Sequence, residues 1–191
     1  MIEVYKDIKD LLTFNNEDDY YFLQILTRKK DGHENNRNIK NYFIRSIEYL
    51  DDKYEEIKDI CNYFNARAML RLNRRSYKKT AFTMLRLLSD ALSNEDYKSI
   101  KNLYLSAAGR TRTNGEKRWI VDIDDTSDLS WVLEIEMFID NHIKPEGTKI
   151  IKRLPTKNGI HIITKPFDLQ EFKKTYSLDV HKDNPINLYI P

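Results

Sequence analysis

Apolar positions along this chain follow two periods, and the two alternate. Residues 4–12 carry apolar side chains at helical spacing and predict a short amphipathic helix. Residues 19–30 contain Tyr20-Tyr-Phe-Leu-Gln-Ile-Leu-Thr27, a run of strand formers. A polar loop with Gly32 is expected over 31–38, and a second strand over 41–47. Tyr54, Ile57, Cys61 and Phe64, three and four apart, predict a helix over 50–64. Residues 66–73 alternate Ala68, Leu70 and Leu72 against Arg67, Met69 and Arg71, the period of a strand. Two helices are expected at 77–92 and 95–107, followed by a polar link at 109–116.

The order beyond that link is clearer. Lys117-Arg-Trp-Ile-Val-Asp-Ile-Asp-Asp-Thr126 reads as a strand ending in acids. A helix is expected over 128–143, with Asp128 as its N-cap and Pro145 and Gly147 as its stop. Residues 149–154 and 159–164 form an expected hairpin around Asn158-Gly159. A short helix at 168–176 and a last strand at 187–190 complete the order β-α-β-β-α-β. That is the order of a split β-α-β, RRM-like unit, an antiparallel sheet with helices on one face. The expected fold is therefore α+β with two lobes in one compact domain. Residues 1–116 form an N-terminal mixed α/β lobe, and residues 117–191 the RRM-like catalytic lobe.

Composition narrows the class. A hydrophobic content of 40% allows a packed core, and 5 Gly and 5 Pro argue against a disordered or loop-rich chain. The formal net charge is only +2, so any nucleic-acid signal must come from local clusters. A single cysteine, Cys61, excludes an intrachain disulfide and a cysteine-rich zinc site. With no signal pattern and no long apolar run, the expectation is a cytoplasmic protein without membrane contact.

The chemistry concentrates in the second half. Asp122 and Asp124 are two apart on a strand, so both share a face with Ile120, while Trp119, Val121 and Ile123 take the other. Two carboxylates on one face repel each other unless a cation sits between them, and carboxylate oxygens suit hard divalent ions. In a β-α-β-β-α-β sheet the first and third strands are central neighbours, which brings His161 beside the pair. Three carboxylates (Asp122, Asp124 and Asp183), an imidazole and flanking cations make a site for metal-dependent phosphoryl or nucleotidyl transfer. Lys157 or His161 would hold a phosphate.

These motifs resemble the catalytic core of the archaeo-eukaryotic primase superfamily, the primase-polymerases. Val121-Asp-Ile-Asp124 resembles the first motif of that family, and Thr156-Lys-Asn-Gly-Ile-His161 the second. The third, an apolar residue followed by an acid, is met by Leu178-Asp179. Asp183 is preferred because the segment after it supplies the terminal strand. The resemblance implies primer synthesis from nucleoside triphosphates on a single-stranded DNA template. It implies two magnesium or manganese ions on Asp122, Asp124 and Asp183, and phosphate contacts from Thr156, Lys157, His161 and Lys165. A stand-alone core without zinc-binding cysteines implies a viral or mobile-element protein, or a subunit working with a helicase or other replication proteins.

Arg67, Arg71, Arg74, Arg75 and Arg118 are the candidate nucleic-acid contacts, since affinity for a phosphate backbone comes from such cations. Three other readings compete. Asp122-Ile-Asp-Asp-Thr126 fits the first motif of haloacid-dehalogenase-type phosphatases, whose fold needs several further parallel strands. Lys29-Lys-Asp-Gly32 spells the Lys-x-Asp-Gly of nucleotidyltransferase ligases. A catalytically inactive relative that binds nucleic acid is the third.

Overall fold

The computed structural model describes residues 2–111, 113–124, 129–156 and 159–191, with side chains from Val4 onward. In chain order its strands and helices are β1 (Ile2–Glu3), α1 (Tyr5–Lys9), β2 (Asp19–Thr27), β3 (Arg37–Ile44), α2 (Ile47–Phe64), β4 (Arg67–Arg71), β5 (Arg75–Ser76), α3 (Tyr77–Ser93), α4 (Leu103–Arg110), β6 (Trp119–Ile123), α5 (Leu129–His142), β7 (Ile150–Pro155), β8 (Ile160–Thr164), α6 (Leu169–Thr175), β9 (Asp179–His181) and β10 (Pro185–Ile190). The fold is α+β, built on two antiparallel sheets.

The first sheet runs β1-β10-β4-β2-β3, with β5 added on β2. Alternation decides its two faces. Leu23, Ile25, Tyr42, Ile44, Ala68 and Leu70 point toward α2 and bury against Leu50, Tyr54, Ile57 and Cys61. Each fully buried aliphatic side chain contributes about 2 kcal/mol. Local signals set the ends of α2. The Ser46 hydroxyl accepts the Tyr49 N–H at 3.0 Å, and Asn65 closes the helix in the left-handed region at φ 46°. On the opposite face Tyr20 and Phe22 pack with Ala108 of α4.

The second sheet runs β7-β8-β6-β9, so β6 and β8 are central. Trp119, Val121, Ile123 and Ile162 face α5 and α6, where Val132, Ile135, Ile139 and Phe172 cover them. Asp168 caps α6 by accepting from the N–H groups of Gln170 and Glu171. The other face carries Ile120, Leu154 and Ile163 into the core of the first sheet.

Three expectations are corrected. The fourth strand of the second sheet is β9, a three-residue strand that pattern alone does not mark. The expected terminal strand, now β10, lies instead in the first sheet, paired with β4 and β1. Its Ile186 and Leu188 are buried in that sheet's core. The segment expected at 95–107 is also not one helix, but a 3-10 turn at Tyr97–Asn102 followed by α4. The expected N-cap Asp128 lies outside the described residues.

Candidate functional site

The register of β6 assembles the site. Asp122 lies opposite His161 of β8 on one side and Asp179 of β9 on the other. Residues directly opposite in an antiparallel pair share a face, so these three side chains form a row across the sheet. His161 Nε2 is 3.3 Å from Asp122 Oδ1. The hydrogen bond from His161 holds the Asp122 carboxyl below its ordinary range. Partial burial opposes that shift, and the charges of His161 and His181 add to it. Asp124 follows the strand end, exposed, on the same cleft as Asp122.

Gly159 explains how the hairpin reaches this point. A Cβ there would stand 1.9 Å from the Ile123 carbonyl oxygen and 2.9 Å from Asp124 Cα, so only glycine lets β8 close against the acid strand. The turn is pinned by a reciprocal pair. Thr156 N–H donates to the Gly159 carbonyl at 2.8 Å, and Gly159 N–H donates to the Thr156 hydroxyl at 2.9 Å.

Above the row lies a cleft of about 580 Å³ between the two sheets. Its second-sheet wall holds Ile120, Asp122, Asp124, Thr156, His161 and His181. The first-sheet wall holds Arg28, Lys30, Asp31, Arg67, Met69 and Asn187. Arg67 is tied to Asp31. Arg28 and Lys30 have no ion-pair or hydrogen-bond partner for their side chains among the described residues. The cleft thus sets two free cations, Arg28 and Lys30, against two carboxylates, Asp122 and Asp124.

Several expected site residues lie elsewhere. Asp183, in the turn between β9 and β10, does not join Asp122 and Asp124. Its carboxylate receives hydrogen bonds from Arg75 and from Asn73 at 3.1 Å, with Arg71 at 3.6 Å. The arginine cluster is likewise internal. Arg75 is buried on Asp183, and Arg71 also donates to the Asp183 carbonyl. Arg74 pairs with buried Asp19 at 3.3 Å, and Arg118 donates to the Leu11 carbonyl. A run of arginines beside a strand end is as suited to tying segments together as to binding phosphate, and here the carboxylate and carbonyl partners come from distant segments. Only Arg67 of the five lines the cleft. Lys165 is exposed beyond the far end of β8 and does not line it. Lys157 lies outside the described residues, as does Thr126 of the phosphatase motif. The parallel sheet of that phosphatase fold is absent around Asp122, because β6 pairs antiparallel with both neighbours. In the ligase-like tetrad Lys29 does not line the cleft, whereas Lys30 and Asp31 do.

Arg28, Lys30, His181 and Asn187 escaped the sequence reading as site residues. The available signal was the break at Arg28-Lys-Lys-Asp-Gly32, where β2 stops in a 3-10 turn and Gly32 takes φ 90°. Cations at such a turn sit on a rim. Among the described residues no three His, Cys, Asp or Glu side chains are grouped to hold a metal ion, and no helix is long and apolar enough to cross a membrane. The chain matches no protein-family model, no curated protein and no solved structure.

Proposed function

We propose that the chain is a metal-dependent nucleotidyltransferase of primase-polymerase type, extending a primer from nucleoside triphosphates on a single-stranded DNA template. The observation that carries this reading is the in-register row of His161, Asp122 and Asp179, of which His161 and Asp122 line the cleft. The second sheet, with α5 and α6 on one face, is read as the RRM-like lobe, and Asp179 replaces Asp183 as the third acid.

Asp122 and Asp124 would hold magnesium or manganese, with Asp179 as the neighbouring donor. The oxygen-only donor set fits hard cations, and magnesium is commonly held by one or two carboxylates with substrate phosphates completing its shell. That accounts for a site without a closed protein cage. The ion supplies charge neutralisation on the phosphate oxygens. The chain's own residues do the rest. Asp122 stays ionised through its hydrogen bond from His161. Arg28 and Lys30 draw the triphosphate against the first-sheet wall, and His161 meets its oxygens from the second. The primer 3′-hydroxyl then attacks the α-phosphorus and pyrophosphate leaves.

A second reading is favoured by one observation, the engagement of Asp122 by His161 without a three-ligand group among the described residues. That reading is an inactive relative which binds nucleic acid. Manganese titration followed by electron paramagnetic resonance separates the two. The proposed enzyme takes up manganese in the presence of a nucleoside triphosphate, and Asp124→Ala removes that uptake. An unchanged free-manganese signal with the native chain overturns the proposal.

A further inference from the structure

A second feature of the first sheet opens onto the cleft and is used by nothing described above. Asn187 of β10 lies opposite Met69 of β4, Met69 opposite Gln24 of β2, and Gln24 opposite Asn41 of β3. Directly opposed residues share a face, so these four side chains form one straight row across the sheet. At the usual strand spacing the row is about 14 Å long. Asn187 and Met69 line the cleft, so the row starts there and runs outward. All four side chains are half-buried.

The hydrogen bonding within the row is incomplete. Gln24 Nε2 donates to Asn41 Oδ1 at 3.2 Å, and Asn38 Nδ2 donates to the same oxygen at 2.9 Å. Gln24 Oε1 and Asn41 Nδ2 are left without partners among the described residues, an acceptor beside a donor. Asn187 Oδ1 is buried with no partner among the described residues. A buried acceptor such as Asn187 Oδ1 is normally satisfied, and the Gln24–Asn41 acceptor–donor pair, which water can reach, is what the edge of a nucleobase complements. The surroundings agree. Arg28 and Lys30 stand at the cleft end as free cations for a phosphate chain. At the outer end Phe43 packs against Tyr104 with the rings tilted, 4.8 Å between centroids, and Tyr104 is 43% exposed.

We propose that the Asn187–Met69–Gln24–Asn41 row seats the bases of a single-stranded nucleic acid running from the cleft across the part of this face that α3 and α4 leave uncovered. Met69 supplies a soft apolar surface under a base, and the amides meet base edges without bringing charge to them. Tyr104 offers a stacking face where the strand leaves. The strand's direction out of the cleft rests on the nucleotidyl-transfer reading, whereas the seat itself needs no metal.

The test is fluorescence anisotropy of a labelled single-stranded oligonucleotide with the whole chain, in EDTA and without nucleotide. A failure of the transfer chemistry therefore leaves the result readable. Removing two such hydrogen bonds costs about tenfold or more in affinity. The native chain is expected to bind, and Gln24→Ala with Asn41→Ala to weaken binding by that factor. The isosteric Asn41→Asp, which keeps the shape of the edge strand and adds a negative charge, is expected to weaken it as well. Both variants should keep the manganese uptake of the native chain. No binding by the native chain, or equal binding by both variants, overturns the proposal.

Discussion

His161 Nε2 stands 3.3 Å from Asp122 Oδ1 across the central strand pair. This contact pulls the Asp122 carboxyl downward against the opposing effect of its burial. A carboxyl with a depressed folded value adds stability above its unfolded value of about 3.9, and loses that contribution as pH falls through the folded value. His161→Gln should therefore raise the Asp122 midpoint and move acid unfolding to higher pH. Carbon-detected NMR titration of the Asp122 carboxyl measures it. Identical midpoints in the two proteins would mean that the contact has no electrostatic weight.

Gly159 is a steric requirement of the site. Gly159→Ala places a methyl group within 1.9 Å of the Ile123 carbonyl oxygen, and backbone rather than a flexible side chain has to move. The expected loss is about 2 kcal/mol, typical of overpacking, with the exposed Asp124 displaced as the strands part. Thermal denaturation of the variant is the measurement, and an unshifted melting temperature contradicts this account.

The arginines beside β5 should behave as structural residues. Asn73 is buried and bonds the Arg118 N–H at 2.7 Å, the Arg118 carbonyl at 3.1 Å, the Lys182 carbonyl at 3.0 Å and Asp183. It thereby fastens the start of β6 and the end of β9 to the first sheet. Arg75→Ala removes one of three partners of the partly exposed Asp183 and should cost about 2 kcal/mol, the scale of one hydrogen bond to a charged group. Urea denaturation reads this cost. A stable Arg75→Ala protein with weakened binding to single-stranded DNA would return Arg75 to the role of a nucleic-acid contact.

Cys61 on the inner face of α2 is fully buried, and burial pushes its thiol up to about 12. At neutral pH it should react with a thiol reagent only when the α2 core opens. Labelling measured by mass spectrometry should therefore slow in step with global stability. Rapid labelling of the native chain would show that α2 opens on its own.

Much of this was legible in the sequence, and the exceptions share a cause. The acid strand, the helix after it and the hairpin bearing His161 were readable because each is marked by its own periodicity or turn. The Asp122–His161 contact followed from strand order alone. β9 was not readable, since three residues carry no period. β10 has a clear strand pattern, but its partners β4 and β1 are set by distant packing that no local signal records. The same limit applied to the arginines. Arg74 and Arg75 announce charge, while the carboxylates that take it up, Asp19 and Asp183, are more than fifty residues away in the sequence.

Nucleotidyl transfer at Asp122 and Asp124 is tested by incorporation of a labelled nucleotide by the purified chain on a primed single-stranded DNA template with manganese. The native protein is expected to extend the primer, Asp122→Ala and Asp124→Ala to abolish extension, and a variant lacking both Arg28 and Lys30 to reduce it at least about tenfold. Extension that survives Asp122→Ala and Asp124→Ala would contradict this assignment, as would no extension with any template or nucleotide by a chain that binds manganese.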